Sequence, residues 1–247
     1  MFFKEFLRVR TPLFWYTATA VVITVAIQII VFASHEAMTS AKVSHAWVEL
    51  FGAAGFVAAF MATVLGSTLA MENDHLEVAW TKPRSRTTYA TALMGVDVAA
   101  ILLAQLIAFA FIMLHMALYH RTEPLVSGPN DALNVIRFAL FPIAWYGLIV
   151  ALSASMRGRA GMVQGLVWPI SITLVVLAVV PLPGVWHSIF TAINLVNPLS
   201  YTEYNERAGQ IFAGTALPNV LLAVFALGLI VVASWLAATY QWRRLQA

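Results

Sequence analysis

The chain has 247 residues, 61% of them hydrophobic and 10% charged, with a formal net charge of +3. A soluble domain is about half apolar and about a quarter charged, so this composition excludes an ordinary water-soluble globule. No stretch is basic enough to read as a nucleic-acid patch, and the lack of cysteine removes disulfides and thiolate metal sites.

The N-terminal stretch MFFKEFLRVR sets Phe2, Phe3, Phe6 and Leu7 against Lys4, Glu5, Arg8 and Arg10. At helical spacing this predicts an amphipathic segment lying in the headgroup layer, with the chain turning to cross at Thr11-Pro12. The alternative is a basic end that only sets orientation. Six apolar runs follow, at 13–33, 47–71, 90–118, 133–155, 162–181 and 217–240. Each reaches the length of about 20 residues that spans a bilayer. Each is expected to be helical, because backbone in lipid has to satisfy its own hydrogen bonds. None shows the alternation of a barrel strand. The first run is too long for the apolar core of a secretory signal and is expected to be retained. The expected architecture is therefore all-α, one polytopic membrane domain over residues 1–247.

Within the second run, Gly55, Ala59, Thr63 and Ser67 recur at every fourth position. Stripes of small residues let membrane helices approach closely. Such a stripe packs helices of one chain or lines a seam between two. The next segment, 72–89, reads ENDHLEVAWTKPRSRTTY and places acids first and bases last. Leu76, Ala79 and Trp80 share one helical face. The early acids Glu72, Asp74 and Glu77 suit a helix N-terminus. Pro83 disfavours helix at Lys82 and can open a new helix carrying Arg84 and Arg86. The spacing predicts a short amphipathic helix bent into the third span. It reads either as a docking element or as a solvated loop that enforces topology.

Four polar residues fall inside the spans: Gln28, Asp97, Gln105 and His115. Such groups are costly in lipid and stand as functional candidates. Asp97 lies close enough to the basic loop to pair with Arg84 or Arg86, a structural role preferred over a proton site. His115 lies near the outer end, where water reaches. The fifth run opens with Gly161 and Gly165 and then Pro169. If these helices line a seam, Thr63, Ser67, Gln164 and Ser171 are its polar liners, and so apolar a seam suits a lipid-like or amphipathic cargo.

Lys and Arg concentrate at the N-terminus, in the 72–89 loop, at Arg157 and Arg159, and at Arg243 and Arg244. The opposite side carries Lys42, Arg121, Arg137 and Arg207. By the positive-inside rule both termini and the 72–89 loop are cytoplasmic.

Two patches carry a family resemblance. Glu72, Leu76-Glu77, Pro83 and Ser85-Arg86 resemble the loop between the second and third spans of the exporter-type permeases (the second permease family) of bacterial ABC transporters. Asp74-His75 stands where many members have Gly-Thr. The stretch NLVNPLSYTEYNERAG, 194–209, is similar to the family's Asn-Pro-Leu-Thr-Tyr segment before the last span. The resemblance implies six transmembrane helices, an N-terminal interfacial helix, a cytoplasmic coupling helix and a re-entrant helical pair in PLPGVWHSIFTAINLVNPLS. It implies a permease half in the bacterial cytoplasmic membrane, dimerising with a second permease copy, a homodimer in the simplest case. A separate ATPase subunit would dock on Glu72, Asp74, His75, Leu76, Glu77, Trp80, Arg84 and Arg86. Gly55, Ala59, Thr63, Ser67, Gly161, Gln164, Gly165 and Ser171 would line the pathway or dimer seam.

ATP and Mg would bind the partner and not this chain. A phosphate-cradling loop needs Gly-Lys followed by Ser or Thr, and Lys4, Lys42 and Lys82 follow Phe3, Ala41 and Thr81. An intramembrane enzyme is the first rival. His35-Glu36 lacks the second histidine of a zinc protease, with Thr39 in its place. No serine elbow with a histidine partner stands out. A carrier driven without ATP would show internal repeats, and none is evident. An accessory or immunity protein without a pathway is the remaining alternative.

Overall fold

The computed structural model describes residues 2–34, 40–71, 86–118, 126, 128–153, 160–180, 182–202 and 217–244. Among these residues are seven α-helices and one 3-10 turn, with no strand. The helices are α1 (Phe2–Ser34), α2 (Ser40–Met71), α3 (Arg86–Leu118), α4 (Pro129–Ser153), α5 (Ala160–Val179), α6 (Val185–Asn194) and α7 (Leu217–Arg244). The 3-10 turn is Pro198–Tyr201. Five helices are long and apolar enough to cross a membrane: α2, α3, α4, α5 and α7. The run at 13–33 lies within α1. The coupling-helix segment, with Glu72, Asp74, His75, Leu76, Glu77, Trp80 and Arg84, lies outside the described residues; Arg86 opens α3.

The amphipathic N-terminal segment is not a separate helix. α1 runs unbroken from Phe2 to Ser34 through Pro12, so the turn expected at Thr11-Pro12 is absent. An interior proline costs a helix about 3 kcal/mol. The cost is offset because Arg8 and Tyr16, one turn on either side of Pro12, share a face and both grip the bundle. Arg8 bonds to α2 and α3, and the buried Tyr16 hydroxyl donates to the Ala54 carbonyl. A turn at Pro12 would release one of them.

α4 begins at Pro129, four residues before the apolar run that marks it. Pro129 occupies the first helical turn, where its missing N–H is no loss. Asp131 stands in the same turn, where a carboxylate favours the helix N-terminus. The Ala132 amide closes the first turn on the Gly128 carbonyl at 3.2 Å.

α4 is the hub. It packs most extensively against α2 on one side and α7 on the other. Phe141, Trp145, Tyr146 and Ile149 on it are wholly buried. Lipid gives apolar helices no reason to seek one another, so close fit has to hold them. A Cβ built on Gly147 would sit 2.9 Å from the Ser234 Cβ of α7, and one on Gly66 2.9 Å from Ile149 Cγ2. Gly161 and Gly165 on α5, by contrast, face open space.

Gly147→Ala should therefore lower the thermal midpoint of the detergent-solubilised protein, by an overpacking loss of about 1–3 kcal/mol. Gly95→Ala on α3, where an added Cβ also meets open space, should not lower it. Equal midpoints for both variants would show that the α4–α7 approach is looser than described.

Candidate functional site

Three polar nodes lie inside the bundle. The first joins four helices. Asp97 on α3 is fully buried and ion-pairs with Arg8 of α1 through Oδ1. Its Oδ2 accepts the Tyr146 hydroxyl of α4 at 2.8 Å. Arg8 also donates to the Leu65 carbonyl at 3.3 Å and the Thr68 hydroxyl at 3.4 Å, both on α2. The sequence pointed to Arg84 or Arg86 as the partner; Arg84 and the Arg86 side chain lie outside the described residues, and the cation found on Asp97 is Arg8. A carboxylate held between a guanidinium and a phenol is charge-compensated and hydrogen-bonded, which meets the conditions for keeping a charge out of water.

The second node gathers the polar members of the small-residue stripe. Gly55, Ala59, Thr63 and Ser67 are all buried against the chain's own helices. Thr63 Oγ1 accepts the indole N–H of Trp145 at 2.8 Å and of Trp168 at 3.1 Å, and donates to the Ala59 carbonyl at 2.9 Å. A hydroxyl has one proton and two lone pairs, so Thr63 is saturated. Ser67 donates to the Thr63 carbonyl at 2.7 Å and accepts Gln164 Nε2 at 2.7 Å. Around these bonds runs a chain of rings. Phe60 stacks on Trp168 with centroids 4.2 Å apart, Trp168 meets Trp145 at 4.4 Å, and Phe141 lies 6.1 Å from Trp145.

The third node is built from the NPLSY stretch. Asn197 caps the 3-10 turn, its Oδ1 accepting the Leu199 amide at 3.2 Å. Its Nδ2 donates to the Ser171 carbonyl of α5 at 3.1 Å and to Asn194 Oδ1 at 3.0 Å. Asn194 Nδ2 donates in turn to the Leu174 carbonyl of α5 at 2.6 Å. Ser200 donates to the Asn194 and Asn197 carbonyls, and Tyr201 to the Leu195 carbonyl. The motif is a knot that ties α6 and the turn onto the far half of α5. Ser171 enters it through its backbone, and its side chain is buried.

Gln105 sits apart from these nodes. It is buried, and neither atom of its amide has a hydrogen-bond partner among the described residues. The nearby Phe138 carbonyl is special. Pro142, four residues on, has no N–H to give it. A Cβ on Gly55 would stand 3.0 Å from that carbonyl and 3.8 Å from Gln105 Nε2. Gly55 thus lets α2 pass close over a carbonyl freed by a proline. Side chains of Gln28 and His115 lie outside the described residues. Among the described residues no group of three or more His, Asp or Glu side chains could hold a metal.

The sequence reading named Thr63, Ser67, Gln164 and Asp97, and missed Arg8, Trp145, Tyr146 and Trp168. Buried Trp and Tyr seek polar partners, which flags these rings as a class. Choosing their partners needs the helix register. Compared with known proteins, the chain matches no family model, no curated protein and no solved structure.

Asp97→Ala should destabilise the protein by about 3–5 kcal/mol, because it strands Arg8 among helices. Tyr146→Phe should cost about 1.5–3 kcal/mol, the range for a hydrogen bond to a charged group. Gln105→Leu should be neutral or stabilising, since it removes a buried amide that has no partner among the described residues. Thermal unfolding of the three variants in one detergent checks the order; a Gln105→Leu loss above that of Tyr146→Phe would show that the amide has a partner.

Proposed function

We propose that the chain is the membrane-spanning permease subunit of an ATP-driven transporter of the ABC exporter type. It works as a dimer in the bacterial cytoplasmic membrane, with both termini in the cytosol. A separate ATPase, carrying ATP and Mg, docks on the 72–88 loop. One observation carries this reading: the patterned loop with Glu72, Leu76-Glu77, Pro83 and Ser85-Arg86 joins two membrane helices. The Arg8 node adds support. It gathers Arg8 near the start of α1, Leu65 and Thr68 near the end of α2, and Asp97 in the first half of α3, so the helix ends that flank the 72–85 segment lie on the side of the basic N-terminus. A push on the loop then meets a braced set of helices.

Six spans follow if α1 crosses with the other five. α6 and the 3-10 turn form the re-entrant pair. Val185, Trp186, Ile189 and Ile193 of α6 are exposed and apolar, while Asn194 is buried against α5. That is the arrangement for backbone at membrane depth, apolar toward lipid and polar toward protein. The dimer seam is assigned to the α5 face bearing Gly161 and Gly165, where added Cβ atoms would meet open space. Gly55, Ala59, Thr63, Ser67 and Gln164 brace the α2 wall behind it, and Ser171 holds its outer end.

Purification of the tagged chain from its native host in mild detergent tests the proposal. A soluble ATPase should co-purify stoichiometrically and be lost with Glu77→Arg plus Trp80→Ala. If the wild-type chain brings down no ATPase under several gentle conditions, the reading falls, and a carrier without ATP or an accessory membrane protein takes its place.

A further inference from the structure

A donor and an acceptor that do not bond lie close together beside Pro142. Pro142 has no N–H for the Phe138 carbonyl, and a proline ring crowds the carbonyl four residues before it. On α3, Gln105 is 4% exposed, and its amide nitrogen has no acceptor among the described residues. One point shows how near the two groups are. A Cβ on Gly55 of α2 would stand 3.0 Å from the Phe138 oxygen and 3.8 Å from Gln105 Nε2. Donor and acceptor are thus separated by no more than those two distances together, with α2 passing at Gly55. A buried amide left unbonded is costly, so a small movement that joins the two is favoured by the bond it makes.

What holds α4 shows which part of it can move. Between Pro142 and Ser153 the helix is pinned by directional bonds. Trp145 donates to Thr63, Tyr146 to Asp97, and Ser153 to the Gly66 carbonyl at 3.2 Å. Gly147 fits closely against Ser234 on the other side. Before Pro142 the contacts are of another kind. Phe138 shares an apolar cluster with Phe51, Ile112 and Met116, and Leu140 packs on the cluster of Tyr201 and Leu227. Arg137, on the same segment, lies 4.9 Å from the centre of the Phe138 ring. Asn134, one turn before Phe138 on the same face, has an Oδ1 with no donor among the described residues. Apolar contact has no preferred direction and tolerates sliding. A proline between a pinned segment and a sliding one is where a helix bends.

We propose that α4 hinges at Pro142 between two positions. In the one described, Gly55 packs against the Phe138 carbonyl and the Gln105 amide is unbonded. In the other, residues 129–141 swing so that the carbonyl accepts from Gln105 Nε2, while 143–153 stay fixed. The bond gained offsets the apolar fit lost, which keeps both positions populated. The hinge belongs to this chain and does not depend on a docked ATPase.

The chain has no cysteine, so label pairs can be introduced with no other change. The full chain in phosphatidylcholine nanodiscs carries nitroxides at Val22→Cys and Ile136→Cys, or at Leu7→Cys and Leu152→Cys, all exposed positions. Pulsed dipolar resonance should read two distances for the first pair and one for the second. Gln105→Leu should lower the share of one of the two distances by about ten-fold, the worth of one hydrogen bond. Pro142→Ala, which returns an N–H to the Phe138 carbonyl, should deplete the same distance. Neither change should alter the Leu7–Leu152 distance. The proposal is overturned if the first pair gives a single distance in the wild type, or if both pairs move together, which would make α4 a rigid rod. It is also overturned if Gln105→Leu leaves the two distances in their original ratio.

Discussion

A carboxylate buried among apolar helices has to be matched where it stands, and the placement of Asp97 governs much else here. Its two oxygens are taken by Arg8 and Tyr146. Arg8 reaches it only because α1 continues as helix through Pro12 and lies along α2 and α3. Tyr146 reaches it only if α4 runs antiparallel to α3 with those two residues level. One charge thereby sets the height of α1, α3 and α4, and the Arg8 bond to the Leu65 carbonyl adds α2. Apolar packing alone would leave these helices free to slide by a turn, because one leucine-rich surface resembles the next.

The other polar bonds divide the work by depth. Thr63, Ser67 and Gln164 fasten α5 to α2 toward the Arg8 end. Asn194 and Asn197 fasten α6 and the 3-10 turn to α5 toward the other. α5 is thus gripped at both ends, yet much of its length, including Met162, Leu166, Ile170 and Val176, is exposed. A helix held at its ends and bare along its side leaves room for something outside the chain. Lipid and a partner helix are the two candidates.

Most of this architecture was legible in the sequence, because a run of about 20 apolar residues has few alternatives to a spanning helix. The start of α4 was legible too, in Gly128-Pro129-Asn130-Asp131, but an apolar-run reading passes over polar residues that begin a helix. Pro12 misled because local preference favours a break there, and burial of Arg8 and Tyr16 on one face outweighs it. That Arg8 reaches Asp97 was hidden for a different reason. Arg8 is 89 residues away in sequence, whereas Arg84 and Arg86 are near, and proximity along the chain says little about which helices end side by side. Thr63 was recognised as a candidate, but its saturation by two indoles depends on the rotation of α4 and α5. The Asn-Pro-Leu-Ser-Tyr stretch was picked out by likeness alone; its bonds explain why asparagine, proline, serine and tyrosine stand in that order.

The Arg8–Asp97 pair also bears on how the chain is made. Synthesis runs from the N-terminus, so Arg8 and α1 are in place before α3 emerges. A lone aspartate in an inserting helix is costly, up to about 2.5–3.5 kcal/mol at the helix centre, and Asp97 lies a few turns into α3. With Arg8 waiting at the neck of the first helix, α3 can enter beside its counter-charge, and the penalty falls as the helix arrives. Tyr146 comes later, with α4, and closes a site already neutralised. Charge would then order the bundle's assembly: a first helix that keeps a cation at its base would guide the third, and the hub helix would close a site its predecessors have begun.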